Sequence, residues 1–471
     1  MRLNSQSVAS VEQPHDFWIA MLIAVISASW VALTVAEPFF LAASIFIALA
    51  LAALVRFDYF VYATVFLLPW YPILNLRFQD AFLPLRFVLF FAMWMRLRKR
   101  NVSIREWLLG TKRKKGIWLF AGIVVVSVFV SGTPLNLPSF RSLALLAGYF
   151  AVFFAIDGWL EHRAQLVRVL QVLLISTVGV ALFGICQAIE GSYTEMYFFL
   201  YPIQTENIVP WSGRITSFLF QYNSLAGYLN LVIPFAIACA VLGKDRGLKL
   251  LGLACAWLGA IAVFLTQSRG GLLALLGVLV LAIWFLVRRL MNRMKILCGG
   301  ALICILLLPP LLDHFERLQG VDDFTEITRL ATWEVAATLF FAHPLLGIGY
   351  GNFRFLSSDL VPGAVQGQLE AHNLYLQLLA EIGFIGFLGF GVLVGAFYFV
   401  SLKSVREPDP LPRIVAFGVC GAIIATLIHG MVDYLFNASP QFGALFWLVL
   451  GLGSYATFAY PSKLVPRVAI T

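Results

Sequence analysis

The side chains most able to do chemistry gather between Thr328 and Gly386, where TRLATWEVAATLFFAHPLLGIGYGNF is followed, after a mixed segment, by EAHNLYLQLLAEIGFIG. His372 stands at the mouth of a membrane helix, with Asn373 beside it. An imidazole there can take a proton near neutral pH from a substrate that arrives through water. Capping, or a contact to lipid headgroups, is the structural alternative for such a histidine. Arg329 heads an R-x3-W pattern in which Trp333, Ala336/Ala337 and Phe340 recur at helical spacing, predicting an amphipathic surface helix that Pro344 ends. GIGYGNF, at Gly347 to Phe353, superficially resembles a phosphate loop, but no strand precedes it. It reads as a turn that lets the chain fold against helix ends or shows backbone N–H groups to an anion.

Other chemistries lack their parts. His372 has no second histidine at helical spacing, and Asp322/Asp323 stand alone, so no metal site is expected. No nucleophile elbow accompanies a serine. His429, four residues before Asp433 at a helix end, reads as a structural pairing. Glu381 is an intramembrane carboxylate that needs a partner the sequence does not identify, and at 100° per residue it does not share a helix face with His372.

The elements that must position these groups are membrane helices. Hydrophobic residues make up 61% of 471 residues and charged ones only 12%, far from the balance of a soluble domain. Apolar runs at 17–36, 38–55, 58–74, 82–96, 116–132, 142–158, 166–189, 223–242, 248–266, 271–288, 295–311, 374–399, 412–430 and 441–458 are each near the length that crosses a hydrocarbon core of about 30 Å. The expectation is an all-α, polytopic membrane protein, one membrane domain over 1–471, with about twelve to fourteen spanning helices. External loops are expected at 190–222 and 312–373. Cysteines lie in or at the ends of apolar runs and read as small core residues.

Basic residues fix the sidedness. The Arg96 to Lys115 segment, with RLRKR and KRKK, is expected in the cytoplasm, and alternation then puts Lys244/Arg246, Arg288 to Lys295, Lys403 to Arg413 and both termini on the same side. The cations left outside are Arg77, Arg86, Arg141, Arg214, Arg269, Arg317, Arg329 and Arg354, all arginine. A guanidinium fork grips phosphate oxygens in pairs and keeps its charge when partly desolvated, so an external site for a phosphate-bearing ligand is expected. Snorkelling to headgroups, or pairing with Glu326 or Asp359, is the alternative. The net charge of +9 follows from topology and does not imply nucleic acid.

Together, RLATWEVAATLFFAHPLLGIGYGNF, HNLYLQLLAEIGFIG, the SRGG turn and the upstream RITSFLFQYN resemble the O-antigen ligase and polymerase superfamily of bacterial integral-membrane glycosyltransferases. The resemblance is specific over 210–390. It implies a GT-C-like fold in the bacterial inner membrane and an active site on the external, periplasmic face. It also implies a glycan donor linked to undecaprenyl diphosphate. The acceptor is lipid A core for a ligase, another repeat unit for a polymerase, or a protein hydroxyl. By the same resemblance His372 is the catalytic histidine, Arg214 and Arg269 hold the diphosphate, and Arg329 and Asn373 support them. No cofactor is expected; membrane lipids are. The competing class is a solute carrier, bicarbonate included, against which stand the collection of these residues at one face and the lack of an inverted pair of broken helices.

Overall fold

The computed structural model describes residues 57–70, 83–132, 137–191, 213–219, 221–286, 323–357 and 370–455. Among these, the regular elements are all helices: α1 (Phe57–Leu67), α2 (Leu83–Lys99), α3 (Ile104–Leu109), α4 (Lys112–Val130), α5 (Leu137–Trp159), α6 (Arg163–Glu190), α7 (Tyr222–Leu242), α8 (Arg246–Leu265) and α9 (Arg269–Leu286). After them come α10 (Asp323–Ala342), α11 (Phe353–Ser357), α12 (Leu374–Ser404), α13 (Pro410–His429), α14 (Leu435–Ala438) and α15 (Pro440–Leu452). The all-α expectation holds. Six helices, α5 to α8, α12 and α13, are long and apolar enough to cross a membrane, and α1, α9 and α15 are shorter apolar helices. The expected spans at 17–36, 38–55 and 295–311, and most of the expected 190–222 loop, lie outside the described residues. So do 312–322 and 358–369 of the second loop.

Burial explains the layering. α7 and α13 have 78% of their apolar windows buried, whereas α8 and α12 have 33%. The first two therefore form the centre and the others face outward. On the outward faces Trp257, Leu388, Val392 and Phe399 remain exposed, as side chains bathed in lipid can be. The cysteines follow this division: Cys239, Cys255 and Cys420 are buried as expected, but Cys186 is exposed on α6. An apolar run in a membrane has an outward face as well as a core face, and Cys186 occupies the former.

One end of the bundle collects the charges. Lys114 and Asp157 form a buried ion pair of 2.6 Å, and Arg163 meets Asp409 through two contacts of 2.5 and 2.9 Å. Arg100 pairs with Glu161 at 2.5 Å. The exposed pairs are worth at most about 1 kcal/mol each, whereas stripping one partner from Lys114–Asp157 costs roughly 3–5 kcal/mol. α12 starts at the other end, beside His372, and runs to this one.

α12 is not continuous. Gly383 has φ 64° and ψ −172°, which breaks the helix, and the break leaves carbonyls and N–H groups without helical partners. The glycine-spaced turn supplies them. Ile348 and Gly349 donate their N–H groups to the carbonyls of Ala380 and Glu381, each at 2.9 Å, while Phe384 and Ile385 donate to Pro344 and Leu345 at 2.8 and 3.2 Å. Gly347, Gly349 and Gly351 all take positive φ, 68°, 93° and 84°. A Cβ on Gly347 would strike the backbone of Ala380 and Glu381, and one on Gly383 the backbone of Leu345 and Leu346. The turn is thus the patch for a helix break.

Gly383→Ala and Gly347→Ala each combine a backbone collision with left-handed strain and are expected to cost at least roughly 2 kcal/mol. Gly391→Ala, whose Cβ meets open space, should stay within about 0.5 kcal/mol of the parent. Thermal unfolding in detergent reads the difference, and a Gly383→Ala protein that melts with the parent contradicts the steric account.

Candidate active site

The site forms where four connections meet at the end of the bundle opposite the charged one. The first is the segment before α7. Gln187 of α6 accepts hydrogen bonds from the N–H groups of Thr216 and Ser217, at 3.3 and 2.8 Å, and so fixes the chain that carries Arg214. The Arg214 guanidinium lies over the Tyr222 ring, 3.9 Å from its centroid. Its Nη2 donates to the Gln267 carbonyl at 3.0 Å.

Gln267 belongs to the second connection, the turn between α8 and α9. Its backbone is left-handed, φ 53°, and its side-chain amide donates back to the Gly213 carbonyl at 3.3 Å. Two contacts thus tie Arg214's segment to this turn, which carries Arg269 as the first residue of α9. Ser268 steadies the turn: its hydroxyl donates to Asn223 at 2.7 Å and accepts from the Gly271 N–H at 3.1 Å. Gly270 has no room for a side chain, because a Cβ there would collide with Val432 and the His429 ring. Arg269 is consequently held next to the third connection, residues 430–434 after α13.

The fourth connection delivers His372, and it is knitted to the third. Leu374 donates its N–H to the Gly430 carbonyl at 2.7 Å, and the Asn373 amide donates to the Met431 carbonyl at 2.9 Å. Asn373 is also the N-cap of α12, accepting from the N–H groups of Tyr375 and Leu376 at 3.0 and 3.1 Å. His372 therefore precedes the helix, with φ 45°, a left-handed conformation uncommon outside glycine. Its Nδ1 lies 3.1 Å from Asp433 Oδ1. The imidazole is 30% exposed and the carboxylate 2%.

Burial works to raise the Asp433 carboxyl, but the His372 hydrogen bond, that ring's charge and the Tyr434 N–H outweigh it and hold Asp433 below the ordinary carboxylate range. An ionised carboxylate only accepts, so Nδ1 of His372 donates and, in the neutral ring, Nε2 keeps its lone pair. The arrangement is that of a general base whose orientation and developing positive charge are both supported by a buried acid. Glu370 lies two residues away. Its burial pushes the carboxyl up, and Arg354, bonded to Oε1 through Nε at 2.9 Å and Nη2 at 2.5 Å, opposes this.

The remaining expected residue, Arg329, lies half-buried on α10, the surface helix predicted before Pro344. α10 packs over the start of α12 through Val335, Ala336 and Leu339 against Ala371, Leu376 and Ala380. The charge of Arg329 acts on His429. Arg214, Arg269, Arg329, His372 and Asn373 thus fall into one linked region. The sequence reading passed over Asp433 as a partner of His372, because that contact joins positions 61 apart. Its signal was an acid just beyond a membrane helix end. Glu381 has its partners too: Gln377, one turn earlier, donates at 2.9 Å, and the Phe353 N–H at 3.3 Å. The Q-x3-E spacing was visible; the Phe353 contact was not. Among the described residues no group of His, Cys, Asp and Glu is arranged to hold a metal ion.

Comparison with known proteins falls on the same region. Residues 254–391 match the family described as O-Antigen ligase. Over 304 residues the chain is 21% identical to Teichuronic acid biosynthesis protein TuaE of Bacillus subtilis (strain 168), a match that covers 62% of this chain and 61% of that protein. The chain thus matches about three fifths of the length of that relative. Arg269, Arg329, the glycine turn, His372 and the break at Gly383 all lie inside the stretch that matches the O-Antigen ligase family.

Proposed function

We propose that this protein is an inverting glycosyltransferase that moves a glycan from undecaprenyl diphosphate to an acceptor hydroxyl at the outer face of the bacterial inner membrane. The observation that carries the reading is the His372–Asp433 pair at 3.1 Å, on connections shared with the arginine-bearing turn. The acceptor hydroxyl gives its proton to Nε2 of His372 as its oxygen bonds to the anomeric carbon. The bond from that carbon to the phosphate oxygen breaks on the opposite face. Asp433 stabilises the imidazolium, and Arg214 and Arg269 take the charge that develops on the leaving diphosphate, as preorganised cations do for departing phosphates. The Tyr222 ring and the Gln267 carbonyl hold the Arg214 fork flat.

Of the acceptors, lipid A core is the first reading, which makes the protein an O-antigen ligase. The match to a protein named for teichuronic acid biosynthesis favours, as a second reading, extension of a growing glycan by the same chemistry. The glycan phenotype of a deletion strain separates them: unligated full-length chains mark a ligase, single repeats a polymerase, and unmodified secreted proteins a protein glycosyltransferase. A solute carrier instead predicts flux into proteoliposomes without any lipid-linked glycan.

With purified protein and a lipid-linked donor, His372→Ala is expected to abolish transfer while the protein still accumulates in the membrane. Asp433→Asn, which favours the wrong tautomer, should lose on the order of a thousandfold in kcat. Wild-type transfer by His372→Ala removes the histidine from the mechanism.

Arg269→Ala should be slower by about a hundredfold or more, the loss of roughly 3 kcal/mol of charge stabilisation. Arg214→Lys is expected to be nearly as poor, since a point charge neither forks nor stacks on Tyr222. Near-normal turnover of the lysine variant would reduce position 214 to a source of general positive charge.

A further inference from the structure

His372 occupies a left-handed backbone position, which costs free energy unless its surroundings hold it there. Two polar routes run from the residues just before it to the start of α11, Phe353 and Arg354. In the first, Arg354 of α11 clasps Glu370, which is only 3% exposed, by the two contacts to Oε1. In the second, the Ala371 N–H donates to Gln377 Oε1 at 2.8 Å, the Gln377 amide donates to Glu381 Oε1 at 2.9 Å, and that oxygen accepts from the Phe353 N–H at 3.3 Å. Residues 370–371 are therefore tied to residues 353–354 twice, once through side chains alone and once through the first turns of α12. Phe353 and Arg354 follow the turn that patches the break at Gly383, so the clasp is anchored in the bundle.

We propose that Arg354, Glu370, Gln377 and Glu381 are positioning residues that set the His372 imidazole against Asp433, and that this double clasp is the role of the intramembrane acid Glu381. The proposal rests on reading His372 as the base. The clasp acts on the backbone that presents the ring. Loss of one route leaves the other, whereas loss of both frees the segment, so the two routes are expected to couple rather than add.

The test compares Glu370→Gln, Gln377→Leu and the double variant with the parent protein. Each single change should lower kcat about threefold with KM for the acceptor little changed, and the double change should lower it by more than the product of the two, on the order of a hundredfold, the cost of misplacing a base by about 1 Å. Arg354→Lys, which keeps the charge and one contact, should retain more activity than Arg354→Gln, and this pair carries the test if Glu370→Gln does not accumulate. A second readout needs no substrate. In protein labelled with 15N-histidine, the His372 signal, assigned by its loss in His372→Ala, should show one tautomer with Nδ1 protonated. In the double variant it should show a mixture. Parent-like kcat in the double variant overturns the proposal, and so does reduced kcat with an unchanged His372 signal. A parent protein that transfers no glycan from an undecaprenyl diphosphate donor sinks the proposed function instead, and the nitrogen spectra then still decide whether the clasp orients His372.

Discussion

In hydrocarbon no water stands ready to satisfy a backbone polar group, so every break in a membrane helix must be closed by protein. The break at Gly383 is the feature from which the described site follows. It opens α12 near the end where His372 lies, and the turn 343–349 fills it with strand-like hydrogen bonds that only glycine at 347 and 383 permits. Patching the helix also brings α11 to the place where His372 is presented. There the Phe353 N–H meets Glu381 and the Arg354 guanidinium meets Glu370.

Ion pairs stand at both ends of the bundle. At one end lysines and arginines meet acids in ion pairs such as Lys114–Asp157 and Arg163–Asp409, which neutralise one another. At the other end Arg354 pairs with Glu370, and the Gln267 carbonyl and the Tyr222 ring orient the Arg214 guanidinium. The Asp433 carboxylate hydrogen-bonds the His372 imidazole.

Helices were legible because apolar length is a local property of the chain. Arg214, Arg269 and His372 were legible as candidates for the same reason, together with the resemblance carried by RITSFLFQYN, SRGG and HNLYLQLL. The partnership of His372 with Asp433 was not, because it depends on how α12 and α13 pack and not on either segment alone. Glu381 was recognised as costly but left without a partner, since half of its satisfaction comes from a backbone N–H across the break. The glycine turn was read as shape, and the shape proved specific: it completes a helix. Cys186 was misassigned to the core because hydropathy does not distinguish a lipid-facing position from a buried one.

The central claim is a single displacement in which a base-activated hydroxyl attacks the anomeric carbon as diphosphate leaves from the other face. Stereochemistry reports this directly. A lipid-linked donor of known anomeric configuration, turned over by the purified protein and analysed by NMR of the product linkage, should give inversion. Retention of configuration would demand a covalent glycosyl-enzyme step for which this site provides no role, and would contradict the account.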